Sequence, residues 1–168
     1  MRSLRVVLVD LNNFARYPTV AIGMLAAVLR RDGVAVDVFS PLAIGIPGVA
    51  RETRVGALGR VGQYLRYVTA SSSLPAIRAA RARLALRRHP IGRRETDRIL
   101  AAFDRALADN YDAVLVSAYL MYRDVVEAIA ARCAARGVPL GLGGPYCAQT
   151  EVVDGWRAIP GVTAVLGG

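Results

Sequence analysis

The chain has 168 residues, 54% hydrophobic and 21% charged, which is apolar enough for one domain with its own core and too apolar for a disordered segment. All 22 basic residues are Arg, and the lack of Lys excludes a Walker A phosphate loop and Schiff-base chemistry, pyridoxal phosphate enzymes included. One histidine, His89, and two cysteines, Cys133 and Cys147, exclude His-rich metal sites, paired-His acid–base schemes and a four-cysteine zinc or iron–sulfur site.

Residues 5–10 (RVVLVD) form a short continuous apolar run, the pattern of a parallel strand buried on both faces. Pro18 suits the first position of a helix, and 19–31 follows as an almost wholly apolar helix with two arginines in its last turn and Gly33 as its stop. Residues 34–39 (VAVDVF) are the second strand. The stretch 40–62 is rich in Gly and Pro and reads as a long excursion, with helices expected at 75–88 and 95–108. Residues 42–95 are thus expected to be a mainly helical insertion in the second crossover.

Regular alternation resumes at 113–117 (AVLVS), a third buried strand. A helix over 124–136 carries Val125, Ile129 and Cys133 on one face and ends at Gly137. A fourth strand at 139–142 runs into Gly143 and Gly144, a short helix covers 151–158, and a fifth strand is expected at 162–166. This order predicts an α/β fold, a single domain over 1–168: a doubly wound five-stranded parallel sheet of flavodoxin-like, Rossmann-like order. A last strand with no following helix leads us to expect the N-terminal fragment of a longer protein.

The apolar run before Asp10 is too short for a signal-peptide core, and the longest near-apolar stretch, 19–29, falls short of the ~20 residues of a membrane span. A cytoplasmic protein without membrane contact and with reduced cysteines is expected. The formal net charge is +9, and residues 51–105 hold 13 Arg against 4 acids while the remainder holds 9 against 9, so the whole excess lies in the insertion region. Arg87, Arg88, Arg93 and Arg94 around His89 suit RNA, an acidic partner or another domain, or equally a solvated Arg- and Ala-rich helix. Closely interleaved aromatics are missing there, although Tyr64 and Tyr67 lie upstream, and nucleic acid is therefore disfavoured.

In an open parallel sheet, ligands bind beyond the carboxyl ends of the strands where strand order reverses, which selects residues 10–17, 117–122 and 143–147. The first of these reads DLNNFARYP, with neither the G-x-G-x-x-G of a dinucleotide site nor the Ser/Thr/Gly-rich loop of an FMN site. Receiver-type phosphotransfer lacks its acids and its Lys. What remains is a pair of side-chain amides (Asn12, Asn13), a strand-end hydroxyl followed by bulky residues (Ser117, Tyr119, Leu120, Met121, Tyr122), and a diglycine. That combination suits a large, mostly apolar, amide-bearing ligand.

At these positions the sequence resembles the cobalamin (B12)-binding domains of B12 enzymes, whose signature is Asp-x-His-x-x-Gly after the first strand, Ser-x-Leu after the third, and Gly-Gly some two dozen residues later. The matching positions are Asp10-Leu11-Asn12-Asn13-Phe14-Ala15, Ser117-Ala118-Tyr119 and Gly143-Gly144. Asn12 stands where the cobalt-ligating His would be, Ala15 replaces the Gly, Tyr119 replaces the Leu, and the insertion lengthens the first spacing. Loss of that His is typical of the cobalamin-dependent radical SAM enzymes. The chain looks like their N-terminal domain at residues 18–29 (PTVAIGMLAAVL) with Gly33, at 111–117 (YDAVLVS), at Leu142-Gly143-Gly144-Pro145 and at Ala164-Val165-Leu166-Gly167. The likeness covers most of the chain outside 42–95.

The resemblance implies that the domain carries base-off cobalamin, with its metal. The nucleotide tail would run along the sheet past Gly143 and Gly144, and Ser117 would hydrogen-bond it. The lower face of the metal would be filled by water or by Asn12, Asn13, Arg16 or Tyr17, while Ala118, Tyr119, Leu120 and Pro145 would flank the ligand. It also implies a radical SAM domain in the same polypeptide, with a 4Fe-4S cluster and S-adenosyl-L-methionine, acting as a methyltransferase.

Each of these residues has a plainer role. Gly143-Gly144 suits a tight strand-to-helix connection, Ser117 a helix cap, Asp10 a bond to loop amides, Tyr119 and Tyr122 packing, and His89 a solvated position. The alternative function is a flavodoxin-like nucleotide- or partner-binding module that uses its basic insertion.

Overall fold

The alternation of apolar strands and helices closes into one five-stranded sheet, all parallel, in the order β2-β1-β3-β4-β5. In this computed structural model the strands are β1 (Arg5–Asp10), β2 (Ala35–Phe39), β3 (Ala113–Ser117), β4 (Leu140–Gly143) and β5 (Ala164–Val165). The helices are α1 (Val20–Arg31), α2 (Pro75–Leu86), α3 (Arg93–Ala106), α4 (Arg123–Ala135) and α5 (Thr150–Arg157), with a 3-10 turn at Pro41–Ile44. The structure describes residues 3–11, 19–46, 61, 64, 74–86, 93–119, 122–144, 147 and 150–167. The expected doubly wound, flavodoxin-like order is the observed one.

Strand alternation divides the apolar side chains between two faces. Val7, Val9, Val114, Val116, Leu140 and Leu142 point to one side and pack against Ile99 and Phe103 of α3, Ile129 and Cys133 of α4 and Trp156 of α5. Phe39 and Phe103 meet edge to face at 5.7 Å within this core. Val6, Leu8 and Val36 point to the other side, where Ala26 of α1 packs on them. Burying a Leu, Ile or Phe side chain in the larger cluster stabilises the fold by roughly 1.5–3 kcal/mol.

Helix α1 starts at Val20 with Thr19 as its N-cap, two residues beyond the proline expected to open it. At its other end Gly33, at φ 82°, donates to the Arg30 carbonyl and Val34 donates to the Leu29 carbonyl, the paired bonds of a Schellman stop. The outward side of α1 stays apolar, with Val20 78% and Met24 64% exposed. Among the described residues no helix is long and apolar enough to cross a membrane.

A polar clamp holds the amino ends of β1, β2 and β3. The Arg5 guanidinium donates to Asp37 at 2.8 Å and to Asp109 at 3.2 Å, and its charge lies 4.7 Å from the centre of the Tyr111 ring. Tyr111 donates its hydroxyl to the same Asp37 oxygen at 2.9 Å. That hydroxyl and Arg5 hold Asp37 below its usual range, while burial and then Asp37 push Tyr111 up to about 12.

The clamp sets a pH dependence. A carboxylate with a lowered folded-state value stabilises the fold above its unfolded value of about 4, and that contribution is lost as the pH falls through the folded value. A phenol with a raised value contributes fully below about 10, and the contribution is lost as the pH rises towards about 12. Thermal melts between pH 9 and 12 should therefore lose less stability in Tyr111→Phe than in wild type, and Asp37→Asn should flatten the decline below pH 4. An unchanged alkaline slope in Tyr111→Phe would contradict the clamp.

Candidate functional site at the carboxyl rim

Register brings three chemically distinct residues into one row. Asp10 at the end of β1 pairs with Ser117 at the end of β3, and Ser117 pairs with Gly143 at the end of β4. The row lies on the α1 side of the sheet, because Val6 and Leu8, at alternate positions to Asp10, face α1, whereas Leu140 and Leu142 face the opposite core. The ladder continues past the strand ends: Leu11 donates to the Ser117 carbonyl at 2.9 Å and Ala118 donates to the Gly143 carbonyl at 3.1 Å. Carboxylate, hydroxyl and bare backbone thus stand side by side where the order of strands reverses.

Asp10 is 3% exposed. Its Oδ2 accepts the Thr19 backbone N–H at 3.4 Å and the Thr19 hydroxyl at 3.3 Å. Thr19 is the N-cap of α1, yet its side chain makes no capping bond within the helix, since the hydroxyl is turned to Asp10. The carboxylate thereby lies against the positive end of a 12-residue helix, a favourable place for a negative charge.

The two glycines of the diglycine do different work. A Cβ on Gly144, at φ +142°, would lie 2.5 Å from the Ala118 carbonyl oxygen, so this residue is glycine because the β4–α5 connection crosses the backbone after β3. Among the described residues, a Cβ on Gly143 would meet Leu166 at 3.6 Å and beyond, an ordinary contact distance. Two residues earlier on the same side stands Gly141, whose Cβ would touch Leu115 Cδ2 at 3.0 Å. Gly141 and Gly143 thus share the α1 face of β4, but Leu115 already covers Gly141, so room beside the backbone is left at Gly143 among the described residues. Of the two positions at which the sequence suggests such room, Gly143 has it among the described residues and Gly144 is closed by Ala118.

The residues after Ser117 turn the other way. Ala118 is buried in the α3–α5 core and Tyr119 packs against it, while Tyr122 lies wholly inside it. Tyr122 donates its backbone N–H to the Tyr119 carbonyl at 3.0 Å, closing the turn into α4. Of the eleven residues expected to bind a ligand, Ser117 and Gly143 meet in the row, Ala118 and Tyr119 pack away from it, and Gly144 supports the neighbouring loop. Asn12, Asn13, Arg16, Tyr17, Leu120 and Pro145 lie outside the described residues.

Three contributors escaped the sequence reading. The sequence places Thr19 at the start of a helix and gives no local sign of its bonds to Asp10. Gly141 was legible in the alternation LGLG, which places 141 and 143 on one side of a strand. Arg123, at the start of α4, donates to Glu127 at 2.7 Å and to the Gly155 carbonyl at 2.9 Å, with its charge 5.8 Å from the Trp156 ring centre. It ties the helix that follows β3 to the helix that follows β4.

The cysteine side chains are enclosed in the core, Cys147 from the rim connection in which its backbone N–H donates to the Gly144 carbonyl at 3.1 Å. Cys133 and Cys147 are free and buried, and burial pushes Cys133 up to about 11 and raises Cys147 as well, so both are held as thiols near neutrality. Two cavities of about 330 and 320 Å³ adjoin at Val138, beside residues that precede β3, β4 and β5, at the opposite end of the sheet. Among the described residues no cluster of His, Cys, Asp and Glu could hold a metal ion.

A scan against known protein families, a search of curated proteins and a search of solved structures each returned no match for this chain.

The unequal roles of the glycines can be measured by urea unfolding. Gly144→Ala should lose about 2 kcal/mol or more, from a strained backbone and a clash with Ala118, whereas Gly143→Ala should stay within about 1 kcal/mol of wild type. Equal effects would show that the diglycine acts only as a turn.

Proposed function

We propose that this chain binds cobalamin base-off, without a His ligand, as the methyl-carrying domain of a radical SAM methyltransferase. The observation that carries the reading is the Asp10–Ser117–Gly143 row at the strand-order reversal, with the backbone bare at Gly143 on the α1 face of the sheet. A flat macrocycle resting on strand ends buries much apolar area, and a tail attached to it needs a path close to the backbone. Gly143 offers such an approach, and the Ser117 hydroxyl beside it is a polar group within the row. Among the described residues the Gly143 position is open to an added atom while the Gly144 position is filled by Ala118, which supports a tail on the α1 side at Gly143.

In this reading Ser117 would bond the tail and Gly143 would admit it. Asn12, Asn13, Arg16, Tyr17, Leu120 and Pro145 would flank the ring from the three connections. When bound, cobalamin supplies the methyl group to be transferred. The side chains of this chain bind, orient and shield, in keeping with protonated, buried cysteines and a carboxylate committed to Thr19. The cluster and S-adenosylmethionine chemistry would belong to a partner domain of the same polypeptide, for which Val20, Met24 and Val28 on the outward side of α1 offer an apolar surface.

Purified protein incubated with hydroxocobalamin and passed over a sizing column should elute with corrin absorbance. Gly143→Leu, which projects a side chain into the space beside the row, should weaken binding at least about tenfold while its circular dichroism and melting midpoint stay near wild type. Failure of the wild-type chain and of the longer polypeptide to retain corrin, or undiminished binding by Gly143→Leu, would refute the reading.

A further inference from the structure

In doubly wound folds the first turn of the first helix, at the crevice beside β1, is the usual seat of a phosphate, drawn by backbone N–H groups and the helix dipole. In this chain a carboxylate already stands there. Asp10 is 3% exposed, ends β1 in register with Ser117, and accepts both the N–H and the hydroxyl of Thr19, the N-cap of α1. No acidic residue lies in α1 itself, and both basic residues of α1 fall in its last turn, so Asp10 supplies the negative charge at that helix start. We infer that Asp10 is a specificity-determining residue: it acts as the built-in anion at the start of α1 and bars phosphoryl groups from the first turn of that helix.

The inference gains weight from the charge of the whole chain. At a net charge of +9 the protein attracts polyanions, and a crevice at a helix start would otherwise be the natural place for them to settle. A phosphate arriving beside Asp10 meets like charge at short range, and it can take the Thr19 donors only by displacing a carboxylate that is covalently part of the strand. Neutral amide or hydroxyl groups meet no such repulsion. The inference rests on Asp10 and Thr19 and not on the cobalamin reading: the phosphodiester of a cobalamin tail would pass Gly143, two strands from Asp10, and would keep clear of the start of α1.

The test is a titration of the ¹⁵N-labelled chain with inorganic pyrophosphate, and separately with FMN, at low salt, following the amides of Thr19, Val20 and Ala21. Wild type should show no saturable shift at these amides; shifts confined to the Arg-rich helices would leave the first turn of α1 unmoved and agree with the proposal. Asp10→Asn should gain binding at these amides at least about tenfold tighter than wild type. Thr19→Val, which keeps the carboxylate, should refuse both ligands as wild type does. Saturable binding at the first turn of wild-type α1 would overturn the proposal whether or not the variants fold, as would a folded Asp10→Asn that gains nothing. Neither result bears on hydroxocobalamin retention, so the two readings fail separately.

Discussion

Two hydrogen-bonded ladders meet at Ser117, and the site depends on that meeting. β3 lies between β1 and β4, and in-register pairing on both sides puts Asp10, Ser117 and Gly143 at one level. The pairing is held in place by burial. Val114, Val116, Leu140 and Leu142 are locked into the α3–α5 core, and a slip of one residue in β3 or β4 would turn these side chains out and the row inwards. The chemistry of the rim is thus set by apolar side chains on the opposite face.

The same arrangement commits the described residues of the rim. The carboxylate of the row is tied to the start of α1, its hydroxyl sits within a strand end, and its third member has no side chain. The positions that follow, Ala118, Tyr119 and Tyr122, close the core.

Most of the fold was legible because strands buried on both faces read as short unbroken apolar runs and the helices between them end in glycines. The elements at 5–10 and 113–117 coincide with their predicted bounds, since both strands pair on two sides. The strand expected at 162–166 is confined to Ala164–Val165: β5 is an edge strand with one neighbour, although Thr163 and Leu166 still donate to β4 carbonyls. The site was legible as a set of strand ends, and Ser117 and Gly143 were found that way. Thr19 on Asp10 and Ala118 on Gly144 were not, because each contact joins residues whose meeting is fixed by how connections cross at the rim. No local pattern encodes that crossing.

The central claim is that the side-chain-free position at Gly143, on the α1 face of β4, receives the tail of a ligand whose ring rests on the Ser117 row. It is tested most directly by comparing the affinity of the chain for cobalamin with that for cobinamide, the same corrin ring without its nucleotide tail. The account predicts that cobalamin binds at least about tenfold more tightly, and that filling this position with Gly143→Leu brings cobalamin down to the level of cobinamide. Equal affinities for the two corrins in the wild-type chain would contradict it.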